Sequence, residues 1–459
     1  MNKIYIDFSK VTHNRIKPLH GVNRPDPQYD GKMNRLMDIG VPFVRLHDCG
    51  GAYGRSTLVD IPNIFRDFSA DPNDPNSYDF AFTDAYLKTI VNSGMQIFFR
   101  LGVTIEGFHT IKAYRIYPPD DPQKWAIICE HIVRHYNEGW ANGFHFDIKY
   151  WEIWNEPDNP DCWLGTKEDY FHLYRITANH LKQCFPEIKI GGYAGCGFYQ
   201  ITRKELNPLM TTLLAWFDAF LEYIKNPETM CALDFFSFHL YSTDPDEIGI
   251  HANYARKRLD DVGLCNTEII VNEWNYVNLD SSRWNKGHVL KKEIQGAAFT
   301  AGNFCVMQNS PVDISIYYDA YPVSGYCGIF FFPSLMPTPA YYAFKAFNEV
   351  YQLQKEVKSH VTGDKLYACA STNSSGQAAA MIVNNSTEKR NIDIEISGSN
   401  ITPSMYILDS EHSVLTLVNT ESKTITLNGF SVLLLLYGKT LMPDTDIPDD
   451  TSICFSRLI

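Results

Sequence analysis

Glu156 closes the aromatic run Tyr150-Trp151-Glu152-Ile153-Trp154-Asn155-Glu156-Pro157, and Glu273 closes the apolar run Ile269-Ile270-Val271-Asn272-Glu273. Two carboxyl groups held at the tips of two buried strands can divide the cleavage of a glycosidic bond between them. One protonates the departing oxygen while the other attacks, or stabilises, the sugar cation. Taken singly, a glutamate at a strand end is as readily a loop cap or a surface charge. Taken together, and set among Trp, Asn and Tyr side chains that stack on and hydrogen-bond to sugars, the two point to a carbohydrate site.

Such a pair needs a scaffold that gathers strand ends along one rim. Between positions 18 and 351, short apolar runs alternate with longer helical patterns. The runs predict strands over 19–23, 43–48, 96–101, 149–156, 188–193, 235–241, 269–275 and 314–319. Helical periodicity follows each, over 32–39, 80–93, 122–136, 167–184, 209–225, 251–262, 288–308 and 339–353. Pro122 stands where a first helical turn tolerates it, and Gly94 and Gly263 stand just past helix ends as stop signals. Eight strand–helix units in strict alternation read as an α/β fold, a (β/α)8 TIM barrel rather than an open doubly wound sheet. The glycine run 191–197 lacks the G-x-G-x-x-G spacing of a dinucleotide site, and no cofactor is expected.

Past position 354 the pattern changes to short strands split by Asn, Ser and Gly turns, over 365–371, 378–383, 392–396, 405–408, 414–418, 424–427 and 432–437. That spacing predicts a small C-terminal antiparallel β-sandwich as an accessory domain. The expected division is therefore 1–17, an N-terminal strand joining the sandwich; 18–353, the barrel; and 354–459, the sandwich with a C-terminal surface arm that begins at Met442.

Side chains alternate between the faces of a strand, and barrel active groups sit where strands end. Glu152, Trp154 and Glu156 are thus expected on one face, with Glu152 deeper, in a structural role. Ile269, Val271, Glu273 and Asn275 are expected on another, which turns Glu273 inward. Alternation turns Asn155 away from the pocket unless a twist or bulge re-aims it. Arg45 and His47 share the inward face of the second strand. A buried guanidinium demands a carboxylate partner, while His47 either reads sugar hydroxyls or is a satisfied core histidine. His131 and His135 have the i,i+4 spacing of a ligand pair, but no Glu lies between them and Glu130 and Arg134 suggest a solvated helix face; no metal is expected.

The balance of 40 basic against 53 acidic residues, net −13, argues against a nucleic-acid partner, which needs clustered Lys and Arg. It also disfavours an anionic polysaccharide. The longest greasy stretch, 432–436, is far too short to cross a bilayer, so no membrane partner is expected. Residues 1–8 alternate like a strand and lack the apolar core of a signal peptide. Eleven cysteines without a C-x-x-C pair favour reduced thiols in a cytoplasmic setting over a disulfide framework. A homo-oligomer is compatible with the sequence.

The run from Tyr150 to Pro157, followed by Tyr170-Phe171-x-Leu173-Tyr174, resembles glycoside hydrolase family 39. Val44-Arg45-Leu46-His47, Phe236-Ser237-Phe238-His239-Leu240-Tyr241 and Asn272-Glu273-Trp274-Asn275 extend the resemblance. This family of β-xylosidases and α-L-iduronidases belongs to a large clan of (β/α)8 retaining enzymes. The likeness covers the whole barrel, and members also carry a sandwich-like accessory domain. It implies a general acid/base at Glu156 and a nucleophile at Glu273, with Arg45, His47, Asn155, His239, Tyr241, Trp274 and Tyr318 around the sugar. Tyr241, on the same face as His239, would hydrogen-bond Glu273 and hold its orientation. Anionic Glu273 would raise the pKa of Glu156 by like-charge repulsion, until glycosylation removes that charge.

The activity so implied is retaining hydrolysis that releases a pentose, xylose or arabinose, from an oligosaccharide or an aryl or alkyl glycoside. A cytoplasmic setting adds an exo mode, because polymers do not enter cells intact. Two departures bear on the sugar. Tyr318 stands where family β-xylosidases carry a Trp, and 322–328 holds no acidic pair matching the one they use on sugar hydroxyls. With an unusual long loop from Cys49 to Asp79, these leave galactosyl-arabinose and uronic-acid glycosides open, the latter disfavoured by the acidic balance. A non-catalytic carbohydrate-binding barrel would keep the aromatics and lack one carboxylate, whereas both are present.

Overall fold

A computed structural model describes residues 2–25, 32–49, 59–103, 116–278, 284–419 and 424–442. The expected arm past Met442 and positions 50–58 of the long loop lie outside the described residues. Strand β1 (Lys3–Arg15) is followed by eight parallel strands closed into a barrel. These are β2 (Gly21–Asn23), β3 (Phe43–Leu46), β4 (Gln96–Leu101), β5 (Tyr150–Ile153), β6 (Lys189–Gly195), β7 (Phe235–Ser242), β8 (Glu268–Tyr276) and β9 (Val312–Tyr317). The helices are α1 (Lys32–Asp38), α2 (Ile61–Ile64), α3 (Ala81–Asn92), α4 (Pro122–Asn137), α5 (Lys167–Cys184), α6 (Leu213–Lys225), α7 (Asp246–Asp261), α8 (Trp284–Leu290), α9 (Ile294–Gln308) and α10 (Pro339–Tyr351).

Local chemistry explains the boundaries. At the start of α4, Asp121 accepts hydrogen bonds from the backbone N–H groups of Gln123 and Lys124, and Pro122 fills the first turn, where its missing N–H costs nothing. Gly94 and Gly263 take the left-handed φ, +77° and +84°, that ends α3 and α7. One helix was expected over 288–308, and two are found. The chain turns sharply between them at Lys291–Glu293, where a Cβ on Gly296 would sit 2.1 Å from the Lys291 carbonyl oxygen, so only glycine permits that approach.

The face of α4 that carries His131 and His135 is packed, not solvated. His135 places Nε2 2.9 Å from Asp84 and Nδ1 2.8 Å from the Trp140 carbonyl, while its ring stacks on Phe80. His131 Nδ1 lies 2.9 Å from the Ile127 carbonyl. Each ring is satisfied separately, because the turn after α4 and the start of α3 close over this face.

The C-terminal part contributes β10 (Lys355–Thr362), β11 (Leu366–Thr372), β12 (Ala378–Asn384), β13 (Arg390–Ser397), β14 (Ser404–Asp409), β15 (His412–Val418), β16 (Thr424–Leu427) and β17 (Ser431–Tyr437). With β1 they form a nine-stranded sheet in the order β15-β14-β17-β12-β11-β10-β1-β13-β16, antiparallel except for the β1–β13 pair. Its own core includes Ile4, Ile6, Phe8, Ile382, Leu433 and Leu435. Helix α9 is buried on almost every side because it lies between the barrel and strands β11, β12 and β17. A helix covered from both sides has to be apolar all round, and Ala297, Phe299, Ala301, Phe304 and Met307 make it so.

Candidate active site

Strict alternation turns Phe43, Arg45 and His47 inward from β3, and Phe235, Ser237, His239 and Tyr241 inward from β7. The lowest inward residues, Phe43, Phe98, Tyr150, Phe235, Ile270, Ile314 and Ile316, form one apolar plug. The polar ones are stacked above it. Arg45, fully buried, is the centre of that layer: Nε donates to Glu152 (2.8 Å), Nη1 to Glu273 (2.8 Å) and to Asn23 (3.3 Å), and Nη2 to Asn155 (2.7 Å). Glu152 also accepts from Ser237 Oγ (2.6 Å) and from the Asn272 amide, so it is a paired floor below the pocket.

Two departures from alternation build the upper layer. Strand β5 ends at Ile153, three residues earlier than expected, and Trp154 and Glu156 adopt φ of +73° and +44°. The kink sends Trp154 outward, against Trp125 and Trp163, with its indole N–H donating to the Cys162 carbonyl at 3.0 Å. It turns Asn155 onto Arg45 and Glu156 onto His239. Trp154 and Glu156 therefore do not share a face.

On β8 the expected inward set Ile269, Val271, Glu273 is also corrected. Ile269 and Val271 pack outward in the main core, Ile270 joins the barrel plug and Asn272 reaches Glu152. A register shift against β7, between Phe238↔Val271 and His239↔Glu273, then lets Glu273 follow Asn272 into the interior. Trp274, expected beside the sugar, faces the helices and packs on Phe299, Phe304 and Tyr317.

The two carboxylates meet around His239. Glu273 accepts from Tyr241 Oη at 2.7 Å and from Arg45, while Glu156 lies 2.7 Å from His239 Nδ1 and accepts from Asn159 Nδ2 at 2.9 Å and from the Cys162 thiol at 3.6 Å. His239 Nδ1 is also 3.5 Å from Glu273. One ligand-type atom from each of Glu156, His239 and Glu273 falls within 4.8 Å of the others. This donor set could hold a cation, but Arg45 and Tyr241 already occupy both oxygens of Glu273.

The electrostatics differ from the expectation that Glu273 raises Glu156. Burial does push Glu156 upward, but the hydrogen bond and charge of His239, with Asn159, outweigh it and hold the carboxyl at about 2. Burial lowers His239, and the facing charges of Glu273 and Glu156 more than offset that, so the imidazole is raised. Glu273 is raised, by burial first, against the opposing cations His239 and Arg45. Neighbouring Asp158 is pushed up to about 7 by burial and by Glu156. The two shifts are complementary: they favour a carboxylate on Glu156 beside a protonated imidazole on His239.

A further polar wall runs away from Glu273. His47 Nε2 lies 3.7 Å from Glu273 and 3.5 Å from Asp48. Asp48 accepts from Tyr318 Oη at 2.5 Å, and that hydroxyl also receives Arg24 Nη1 at 3.2 Å. Arg24 reaches Asp319 at 3.5 Å and lies over the Tyr321 ring. Sequence reasoning placed Arg45, His47, Asn155, His239, Tyr241 and Tyr318 here, and the structure brings them together. It missed Asp48, Asn159, Cys162 and Asn272. Asp48 follows Arg45-Leu46-His47 at a strand tip, the position that marks barrel active groups, so that signal was available.

Residues 24–325, about two thirds of the chain, match the profile described as "Glycosyl hydrolases family 39". A β-xylosidase from Geobacillus stearothermophilus is 27% identical over 199 residues, which cover 41% of this chain and 36% of that protein. The chain therefore aligns with about a third of that relative's length. Among solved structures, a glucosidase from Croceicoccus marinus superposes with a TM-score of 0.74 at 20% identity, covering 96% of this chain and 99% of that one. An α-L-arabinofuranosidase of family 51 from Thermotoga petrophila superposes with a TM-score of 0.65 at 16% identity, covering 95% and 100%. Those two likenesses concern the fold. With the profile spanning most of the barrel, this chain belongs to glycosyl hydrolases family 39.

Proposed function

We propose that this protein is an exo-acting, retaining glycoside hydrolase that releases a terminal pentose, xylose or arabinose, from short oligosaccharides. The observation that carries the reading is the Glu156–His239–Glu273 group at the C-terminal rim of the barrel, with its reactive atoms within 4.8 Å of one another. Carboxylates this close suit direct attack on the sugar, whereas an inverting pair needs roughly 6.5–9.5 Å to admit a water between sugar and base.

In the first step a Glu273 oxygen attacks the anomeric carbon and the bond to the leaving oxygen breaks. The leaving oxygen takes the proton held on the His239–Glu156 pair, which passes along their 2.7 Å contact and through the Glu156 carboxyl. Tyr241 and Arg45 hold Glu273 in place and favour its ionised form before attack. In the second step water attacks the same carbon, Glu156 accepts its proton and the Glu273 carboxylate is released. Retention of configuration follows from the two displacements.

The pentose assignment is supported by the β-xylosidase relative, and the recessed carboxylates suit a chain end rather than the middle of a polymer. Free thiols on all ten described cysteines support a reducing, cytoplasmic setting. The test is a panel of nitrophenyl xylosides, arabinosides, galactosides and glucosides with Glu156→Ala and Glu273→Ala. Loss of acid/base catalysis lowers kcat by roughly 10²–10⁴-fold, and the first-formed sugar keeps its anomeric configuration by NMR. Full activity in both variants, or an inverted product, refutes the assignment.

A further inference from the structure

We infer that Asp48 and His47 read adjacent hydroxyls of the sugar held by Glu273, and that this acidic wall selects a neutral glycoside over a uronic acid. The inference rests on the glycosidase reading above and deepens it. Asp48 leaves the tip of β3 at φ +52°, which brings its carboxylate alongside His47 instead of away from the barrel axis. Both side chains are more than nine-tenths buried. One carboxylate oxygen, Oδ2, is committed to Tyr318 Oη. The other, Oδ1, is buried without a hydrogen bond, 3.5 Å from His47 Nε2, and His47 Nδ1 is buried without one as well.

Unsatisfied polar atoms in a closed interior cost about 1–3 kcal/mol each and persist where a ligand satisfies them. The His47 imidazole links the two to the nucleophile: its other nitrogen, Nε2, is 3.5 Å from Asp48 Oδ1 and 3.7 Å from Glu273. A carboxylate oxygen calls for an O–H donor. The imidazole, kept neutral by burial and by the charges of Arg45 and Arg100, offers one donor and one acceptor nitrogen. Vicinal hydroxyls of a sugar ring present that combination of donors and acceptors. A uronate would set its own carboxylate against Asp48, with Asp319 behind, while Arg24 is already engaged with Asp48 Oδ2 at 3.9 Å, with Tyr318 and with Asp319. The wall also supplies, from β3, an acidic group of the kind that 322–328 lacks.

The experiment compares wild type with Asp48→Asn, and with Asp48→Ser should the amide not be tolerated, on the best nitrophenyl glycoside and its monodeoxy analogues. A hydrogen bond to a charged group predicts a fall in kcat/KM of roughly 10–150-fold for Asp48→Asn on the parent sugar. One monodeoxy analogue is expected to be cleaved equally slowly by both enzymes, with the other analogues still discriminating them. An equal loss on every analogue makes Asp48 structural and overturns the inference. Calorimetric binding of neutral monosaccharides, xylose, arabinose and galactose, separates this from the parent reading. Should wild type cleave no glycoside, the hydrolase assignment fails, and weaker monosaccharide binding by Asp48→Asn alone would still support the wall. Unchanged binding would refute it.

Discussion

Arg45→Met is the sharpest perturbation this structure offers, because one guanidinium neutralises two buried carboxylates from different strands. Arg45 and Glu152 are wholly buried and Glu273 nearly so, and three hydrogen bonds of 2.7–2.8 Å join Arg45 to Glu152, Glu273 and Asn155. Methionine fills much of the volume but leaves Glu152 without this cation and Glu273 with His239 alone. Breaking a buried pair by removing one partner costs about 3–5 kcal/mol, a large part of a typical total of about 5–15 kcal/mol. At roughly 2 °C per kcal/mol for a chain this long, thermal unfolding followed by circular dichroism at pH 8 falls by about 6–10 °C. The sign with pH is fixed. Glu273 is already raised by burial, and without Arg45 it rises further, so the variant is least unstable below that pKa and loses stability as pH climbs through it. The deficit relative to wild type is therefore smaller at pH 5 than at pH 8. Arg45→Lys keeps the charge but cannot reach three acceptors with one ammonium, and falls between the two. A midpoint for Arg45→Met within about 1 °C of wild type at pH 8, or a deficit that grows towards pH 5, would refute the pairing argument.

Three other substitutions probe the site. Tyr241→Phe removes the 2.7 Å donor to Glu273; kcat/KM is expected to fall by roughly 10–150-fold, and the acid limb of the pH–rate profile moves to higher pH because that donor lowers the Glu273 pKa. His239→Asn releases Glu156 from the imidazole that holds it at about 2, and the alkaline limb moves to lower pH, since a carboxyl alone keeps the shared proton less tightly than the raised imidazole; an unmoved limb counts against a shared proton. Trp274→Ala empties an outward site between Phe299 and Phe304, so stability falls by about 3–5 kcal/mol while KM on the best glycoside stays within twofold, and a large rise in KM would return the indole to the sugar.

Alternation of hydrophobic runs was enough to reveal a closed barrel, because the strands are buried on both faces and most helices mainly on one, and both signals survive in the sequence. The positions of Glu156 and Glu273 were legible for a related reason: a carboxylate that ends an apolar run marks the step from the apolar plug to the polar layer above it. What failed was the facing of individual residues. Period-two counting assumes an unbroken strand, and the chain breaks it twice at the site, at the positive φ of Trp154 and Glu156 and at the register shift beside Asn272. Both breaks serve geometry rather than local propensity. Without the first, Asn155 could not meet Arg45; without the second, Asn272 and Glu273 could not both point inward. No glycine in Trp154-Asn155-Glu156 announces such a bend, and Pro157 just after it restricts Glu156 without foretelling the positive φ there.

Charge states were less legible still, because they depend on distances between distant strands. Counting two carboxylates suggested that anionic Glu273 raises Glu156. In the folded site a third group decides: His239 stands 2.7 Å from Glu156 and 3.5 Å from Glu273, so its cation cancels the repulsion and draws Glu156 down. With Glu156 held low and His239 raised, the proposed hydrolysis would draw its proton from the pair as one unit, from the imidazole through the carboxylate. On that proposal the unit, and not Glu156 alone, would set the alkaline limb of the pH profile. It also explains why His239 lies two residues before Tyr241 on the same face: β7 then serves Glu156 with one side chain and Glu273 with the next, setting the two carboxylates in opposite protonation roles from a single strand.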